Sequence, residues 1–222
     1  MEPIFEAVLA NDPSEIEAIA ARTPGAAAQR RTEDLFVAEL PHMLYRGDTP
    51  LHLAAAGLRY DAAGALLAAG APVSTVNRRG ATALHYACDP RPSSPTWDPA
   101  GQRRIIELLV SRGAAVDQPD RGGVTALHRA VRARSPAAVA ALLSAGADPY
   151  AATRKAGSTA LHLAVAPTGA SGTAGASELQ IEIVRMLLAA GATMADVDSN
   201  GVAVVDRIQS RALRKALAAG QL

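Results

Sequence analysis

Cysteine is nearly missing from this chain, with one residue, Cys88, among 222. An internal disulfide framework is therefore excluded. Aromatic residues make up only 3%, with a single tryptophan, Trp97, so the interior is not built around large rings. Lysine is scarce, with two residues against twenty arginines. No apolar run approaches the ~18–20 residues of a membrane span. The net charge of +1 implies no bulk attraction toward nucleic acid or a membrane. The opening segment lacks a basic start and carries Glu2, Glu6, Asp12 and Glu15, which argues against a secretory signal. A soluble cytoplasmic protein is the expectation. Alanine is abundant, at 51 residues, and suits helices packed closely through small side chains. The alanine and arginine excess together point to a GC-rich, bacterial genome.

What the chain has in plenty is repetition. DTPLHLAAA from Asp48 returns as ATALHYACD from Ala81, VTALHRAVR from Val124 and STALHLAVA from Ser158. The threonines Thr49, Thr82, Thr125 and Thr159 are spaced by 33, 43 and 34 residues. A second phrase follows in step, LLAAGA at Leu66, LLVSRGA at Leu108, LLSAGA at Leu142 and LLAAGA at Leu187. Self-similarity at such a period marks a stacked architecture, in which each unit buries its apolar face on its neighbours. The T-P-L-H-x-A unit resembles the ankyrin repeat. The resemblance implies an all-α solenoid of stacked helix pairs with β-turn fingers, one domain over residues 1–222. Its full repeats are 48–80, 81–123, 124–157 and 158–201, closed by capping units at 3–47 and 202–220.

Within each repeat the threonine can cap a first short helix, and Pro50 is tolerated in a first turn. A second helix carries the paired leucines and stops at Gly70, Gly113, Gly146 or Gly191, where glycine accepts a left-handed backbone. Polar residues then lead to Gly80, Gly123, Gly157 or Gly201, and by resemblance form the projecting fingers. Residues 3–21 read as a capping helix pair turning at Asn11-Asp12-Pro13. In GVAVVDRIQS, Ala203 replaces the motif threonine and Asp206 the histidine; RALRKALAAG then closes the stack as a short helix. Three stretches break the repeat. Residues 22–47 form an over-long connection whose EDLFVAELPHMLY can pack on the stack. The Pro-rich 89–102 and the Gly/Ala/Ser/Thr-rich 166–180 fall between the two helices of their repeats, and the second is expected to be dispensable for folding.

The motif histidines His52, His85, His128 and His162 suggest a metal, but their regularity opposes it. Neighbouring helices lie ~8–10 Å apart, whereas zinc ligands converge to ~2 Å from one ion. The resemblance implies instead that each imidazole bonds to backbone and ties adjacent units. Cys88 lies three residues after His85, the spacing of a cysteine nucleophile and its base, yet it occupies a small-residue position matching Ala55, Val131 and Val165. Burial there makes it a small hydrophobe. No phosphate-cradling glycine loop, metal site or cofactor motif appears.

Two features can contact a partner. Trp97 stands in a proline-rich insertion, where tryptophan either anchors an interface or folds back over its own loop. Arg46, Arg78, Arg79, Arg121, Arg154 and Lys155 fall on or beside finger tips and would form a basic stripe along the concave edge. The expected function is non-catalytic binding of a protein partner, an acidic one suiting the stripe, by a monomer. Neither nucleic acid nor membrane is an expected partner. The alternatives are an enzyme centred on Cys88, which requires a solvent-accessible thiol, and a binder of nucleic acid or an anionic ligand along the fingers.

Overall fold

A computed structural model describes residues 2–40, 42–90, 92, 97–166 and 177–222. The chain opens with a helix pair, α1 (Pro3–Ala10) and α2 (Pro13–Arg22). The turn between them follows from its residues: Asn11 takes a left-handed φ of 52°, and the Asp12 carboxylate accepts from the Glu15 N–H at 3.0 Å. An N-cap bond of this kind satisfies one of the orphan amides at a helix start. Four helix pairs follow, α3 (Pro50–Ala56) with α4 (Tyr60–Ala68), α5 (Ala83–Ala87) with α6 (Pro99–Ser111), α7 (Ala126–Arg132) with α8 (Pro136–Ser144), and α9 (Ala160–Val165) with α10 (Ser177–Ala189). The chain ends on α11 (Arg211–Ala218).

The helices form two rows. The first helix of each pair packs on the first helix of the next, α1 on α3, then α5, α7 and α9; the second helices run α2, α4, α6, α8 and α10. Ala54, Ala87, Ala130 and Ala164 are fully buried at equivalent places of the inner row, where a larger side chain would push the helices apart. Leu66, Leu109, Leu142 and Leu187 are fully buried from the outer row. One continuous apolar cluster runs from Ile4 to Leu213. No described helix is long and apolar enough to cross a membrane.

Three sequence expectations change in detail. The connection after α2 does pack on the stack, but as a hairpin, β1 (Leu35–Val37) antiparallel to β2 (His42–Leu44), with Phe36 opposite Met43. Val37 and Leu44 turn inward and are buried, while Phe36 is 57% exposed. The insertions are shorter than their sequence bounds, because residues 99–102 are the first turn of α6 and 177–180 the first turn of α10. Most of the 166–180 stretch lies outside the described residues. In the C-terminal unit the first helix shrinks to a 3-10 turn at Val205–Arg207. Ala203 has no hydroxyl to start the capping arrangement that the four full repeats share.

Candidate functional site

Two ladders join the repeats, one of buried histidines and one of fingers. In each repeat the motif histidine closes a capping box at the start of the inner helix. His52 Nδ1 accepts from the Thr49 N–H at 3.1 Å and stands 2.9 Å from its hydroxyl; His85, His128 and His162 repeat this with Thr82, Thr125 and Thr159. An accepting Nδ1 leaves the proton on Nε2. That nitrogen donates to the next repeat, His52 to Ala81 O at 3.1 Å, His85 to Val124 O at 3.0 Å and His128 to Ser158 O at 3.1 Å. Burial lowers all four imidazoles, His85 to about 4, so the rungs are neutral. The last rung is incomplete. His162 Nε2 closes no hydrogen bond among the described residues, with the Val202 carbonyl at the equivalent place.

The fingers are stitched backbone to backbone. Arg78 N–H donates to Arg46 O (3.0 Å), Arg121 to Arg79 O (3.0 Å), Arg154 to Gly122 O (2.8 Å) and Ser199 to Ala156 O (3.1 Å). Each finger is folded by one side chain that accepts amides across its own turn: Asn77 from Arg79 and Ala81, Asp120 from Gly122 and Val124, Thr153 from Ser158, and Asp198 from Asn200 and Val202. The close approach explains Gly80, Gly123 and Gly157. At Gly123, with φ of +77°, a Cβ would stand 2.7 Å from Arg154 N. A side chain there is excluded by conformation and by space alike.

The hairpin, the fingers and the inner helices α5 and α7 enclose a groove of about 650 Å³. Tyr86 and Arg129 rise into it from the same position of successive inner helices, four residues after the motif threonine. Tyr86 is buried and donates to the fully buried Asp48 carboxylate at 2.7 Å, which also accepts from Asn77 Nδ2 at 2.8 Å and the Tyr45 N–H at 2.6 Å. Burial and then the Asp48 charge push the Tyr86 phenol upward, so it remains a donor. His42, from the hairpin, stacks edge-on against Tyr86 at 4.8 Å and holds the hairpin over this end of the groove. Arg129 lies between Asp89 at 3.0 Å and Asp120 at 3.6 Å. Burial lowers the Arg129 guanidinium and the two carboxylates outweigh it, so its net shift is upward.

Three of the sequence-derived residues, Arg78, Arg79 and Arg121, line this groove together. Arg78 and Arg79 stack over the Tyr45 ring at 5.3 and 4.8 Å, and Arg78 is also paired with Asp34. Arg46 is exposed and lines a neighbouring pocket with Arg78 and Arg121. Arg154 and Lys155 are exposed on the fourth finger, outside both linings. Trp97 stands apart on the insertion edge, half-buried, its indole N–H donating to Gln102 Oε1 at 2.9 Å. The Cys88 alternative fails its own requirement. The thiol is fully buried at the end of α5, and burial raises its pKa far above neutrality, so no thiolate is presented. No group of His, Cys, Asp or Glu among the described residues is arranged to hold a metal ion.

Sequence reasoning missed Arg129, Asp89, Asp120 and Arg132 as groove residues. A signal for Arg129 exists in the register, since the position four after the motif threonine holds Leu53, Tyr86, Arg129 and Leu163, and an arginine among apolar residues stands out. Asp89 belongs to an insertion and has no counterpart to compare.

The comparisons with known proteins agree with this geometry. A family model described as ankyrin repeats in three copies matches residues 99–201, and one described as an ankyrin repeat matches 46–78. Together they span more than half of the chain. The crystal structure of EF0377, an ankyrin repeat protein, is similar with a TM-score of 0.72 at 23% identity, covering 97% of this chain and 96% of that one. No curated protein matches.

Proposed function

Because the chain belongs to the ankyrin-repeat family, whose members are generally non-catalytic interaction scaffolds, we propose that it binds a protein partner through its concave face and that an acidic segment of the partner lies in the groove. The observation that carries this reading is an imbalance of charge. Asp89 and Asp120 are both engaged by Arg129, and Arg78 by Asp34. Arg79, Arg121 and Arg132 are exposed on the groove wall and form no ion pair among the described residues. Guanidinium forks placed in this way suit carboxylates, and the exposed Phe36 ring adds an apolar contact at the hairpin.

The test is Arg79→Glu/Arg121→Glu/Arg132→Glu. Parent and variant are immobilised side by side, and proteins captured from the native cell are quantified by mass spectrometry. Rim charges act chiefly on encounter, so an acidic protein held by the parent should be depleted at least about tenfold by the variant at low salt. Thermal stability should hardly change, because exposed charges contribute little to it. Equal recovery of every captured protein would overturn the assignment.

A further inference from the structure

We propose that a second pocket, on the finger-tip side of the stack, is a binding site for a phosphate dianion. This pocket, of about 620 Å³, is walled by Arg30, Arg31, Thr32, Arg46, Arg78 and Arg121 among others, and no carboxylate lines it. Its arginines come from successive layers of one ladder. The segment at residues 30–32 pairs with the first finger through Arg31 N–H to Asp48 O at 2.8 Å and Gly47 N–H to Arg31 O at 2.9 Å. It therefore acts as an extra rung, ahead of the fingers that carry Arg46, Arg78 and Arg121.

Two of the five guanidiniums are already neutralised, Arg31 by Glu2 and Arg78 by Asp34. The other three are not. Arg30 donates to the Val76 carbonyl at 3.1 Å, which carries no charge, and Arg46 and Arg121 have no ion pair among the described residues. Three uncompensated forks exceed what one carboxylate can neutralise or bond. A phosphate dianion brings two charges and three acceptor oxygens, enough to take bonds from several forks at once. Thr32 is the polar, uncharged residue beside them in the wall. The scaffold has no need of the Arg46 and Arg121 side chains, since the fingers are joined through backbone and their turns are closed by Asn77 and Asp120. The site is separate in kind from the groove, where carboxylates share the floor.

Isothermal titration calorimetry tests this with inorganic pyrophosphate, a short peptide bearing one phosphoserine, the same peptide unphosphorylated, and succinate. Both phosphate probes are expected to bind, with succinate and the plain peptide at least about tenfold weaker, since succinate divides its two charges between carboxylates held apart by two methylenes and neither alone can engage three forks. The tighter of the two phosphate probes identifies whether the natural source is a free anion or a modified protein. Arg30→Gln/Arg46→Gln should weaken pyrophosphate at least about tenfold and reduce the salt dependence, as lost phosphate contacts do. Both residues are exposed, and circular dichroism checks that the variant is folded. Arg46→Lys, which keeps the charge and loses the fork, should fall between the two. Arg132→Gln lies only in the groove wall and should bind pyrophosphate like the parent, so failure here and failure of the groove reading remain distinct. Succinate binding as well as pyrophosphate, an unaffected double variant, or no binding of either phosphate probe overturns the proposal.

Discussion

Lowering the pH from 7 to 4.5 should strongly destabilise the protein, with the loss of stability starting near pH 6.5, above the range where ordinary carboxylates titrate. The sign follows from the histidine ladder. His85 is held neutral to about 4 by burial, whereas the unfolded chain takes up a proton at the ordinary value of 6.5. Between these values the unfolded state binds more protons, so stability is full above about pH 6.5 and falls as the pH drops toward 4. The His85 shift alone is worth about 3 kcal/mol. His52, His128 and His162 are lowered in the same direction for the same first cause, burial. Domains of this kind hold only ~5–15 kcal/mol in total, so the His85 shift is a substantial fraction of that stability, and the other three rungs act in the same direction. Urea midpoints measured from pH 8 to 4.5 check this. A midpoint that stays level down to pH 5 would mean that the imidazoles are protonated or exposed in the folded state.

The second large effect is expected at Gln102. This side chain is fully buried and makes four hydrogen bonds, giving Nε2 to Ala87 O at 2.9 Å and Pro90 O at 3.0 Å, and taking Trp97 Nε1 at 2.9 Å and Ser135 Oγ at 2.7 Å on Oε1. It thereby closes the base of the first insertion, holds the only tryptophan, and joins α6 to the start of α8. Gln102→Ala leaves the Ala87 carbonyl and the Ser135 hydroxyl buried without replacements, and a loss of about 3 kcal/mol is expected. Trp97 reports the change directly. Its emission should shift to the red as the indole loses its anchor, while Trp97→Phe, which keeps Gln102, should cost much less. Parental stability together with parental emission would show that Gln102 is not the clasp of the insertion.

Gln180 occupies the equivalent place in the fourth repeat, bonding Ala164 O at 2.8 Å and Ala166 O at 3.2 Å. Arg134 reaches the same two carbonyls, at 2.8 and 2.7 Å, from a backbone with φ of 58°. Both insertions are thus pinned where they leave the inner helix by a buried amide seven residues before the core leucine, Leu109 or Leu187. Each pair of residues is visible in the sequence once the leucines are aligned. The reason to align them appears only when the long gaps are known to begin at a helix end whose carbonyls need partners.

The repeat positions were legible because each does the same physical task four times. Thr49, His52 and Gly80 recur since every unit must start an inner helix, bond its neighbour and turn a finger against the next backbone. Residues that act once were harder to find. The hairpin has strands of only three residues, too short for a period of two to emerge from LFV and HML, and nothing repeats it. Arg129 was hidden for the opposite reason, as one of many arginines, most of them solvated. Its role depends on Asp89 and Asp120, forty and nine residues away, which only the stacking of α5 on α7 brings together. The finger arginines stand out in sequence as residues beside the turns, but sequence could not divide them between two pockets. That division rests on the extra rung made by Arg31 and on the pairing of Arg78 with Asp34.

Hydrogen–deuterium exchange on the protein with and without a captured acidic partner tests the groove most directly. Amides of the hairpin strands at 35–37 and 42–44 and of the fingers at 78–80 and 120–124 lie in the elements that line the proposed site and should exchange more slowly in the complex. The outer helices α4, α6, α8 and α10 and the insertion edge around Trp97 should be unchanged. Slowing confined to those outer helices or to residues 97–102, with the hairpin and fingers exchanging as in the free protein, would contradict the account and move the working face to the opposite side of the stack.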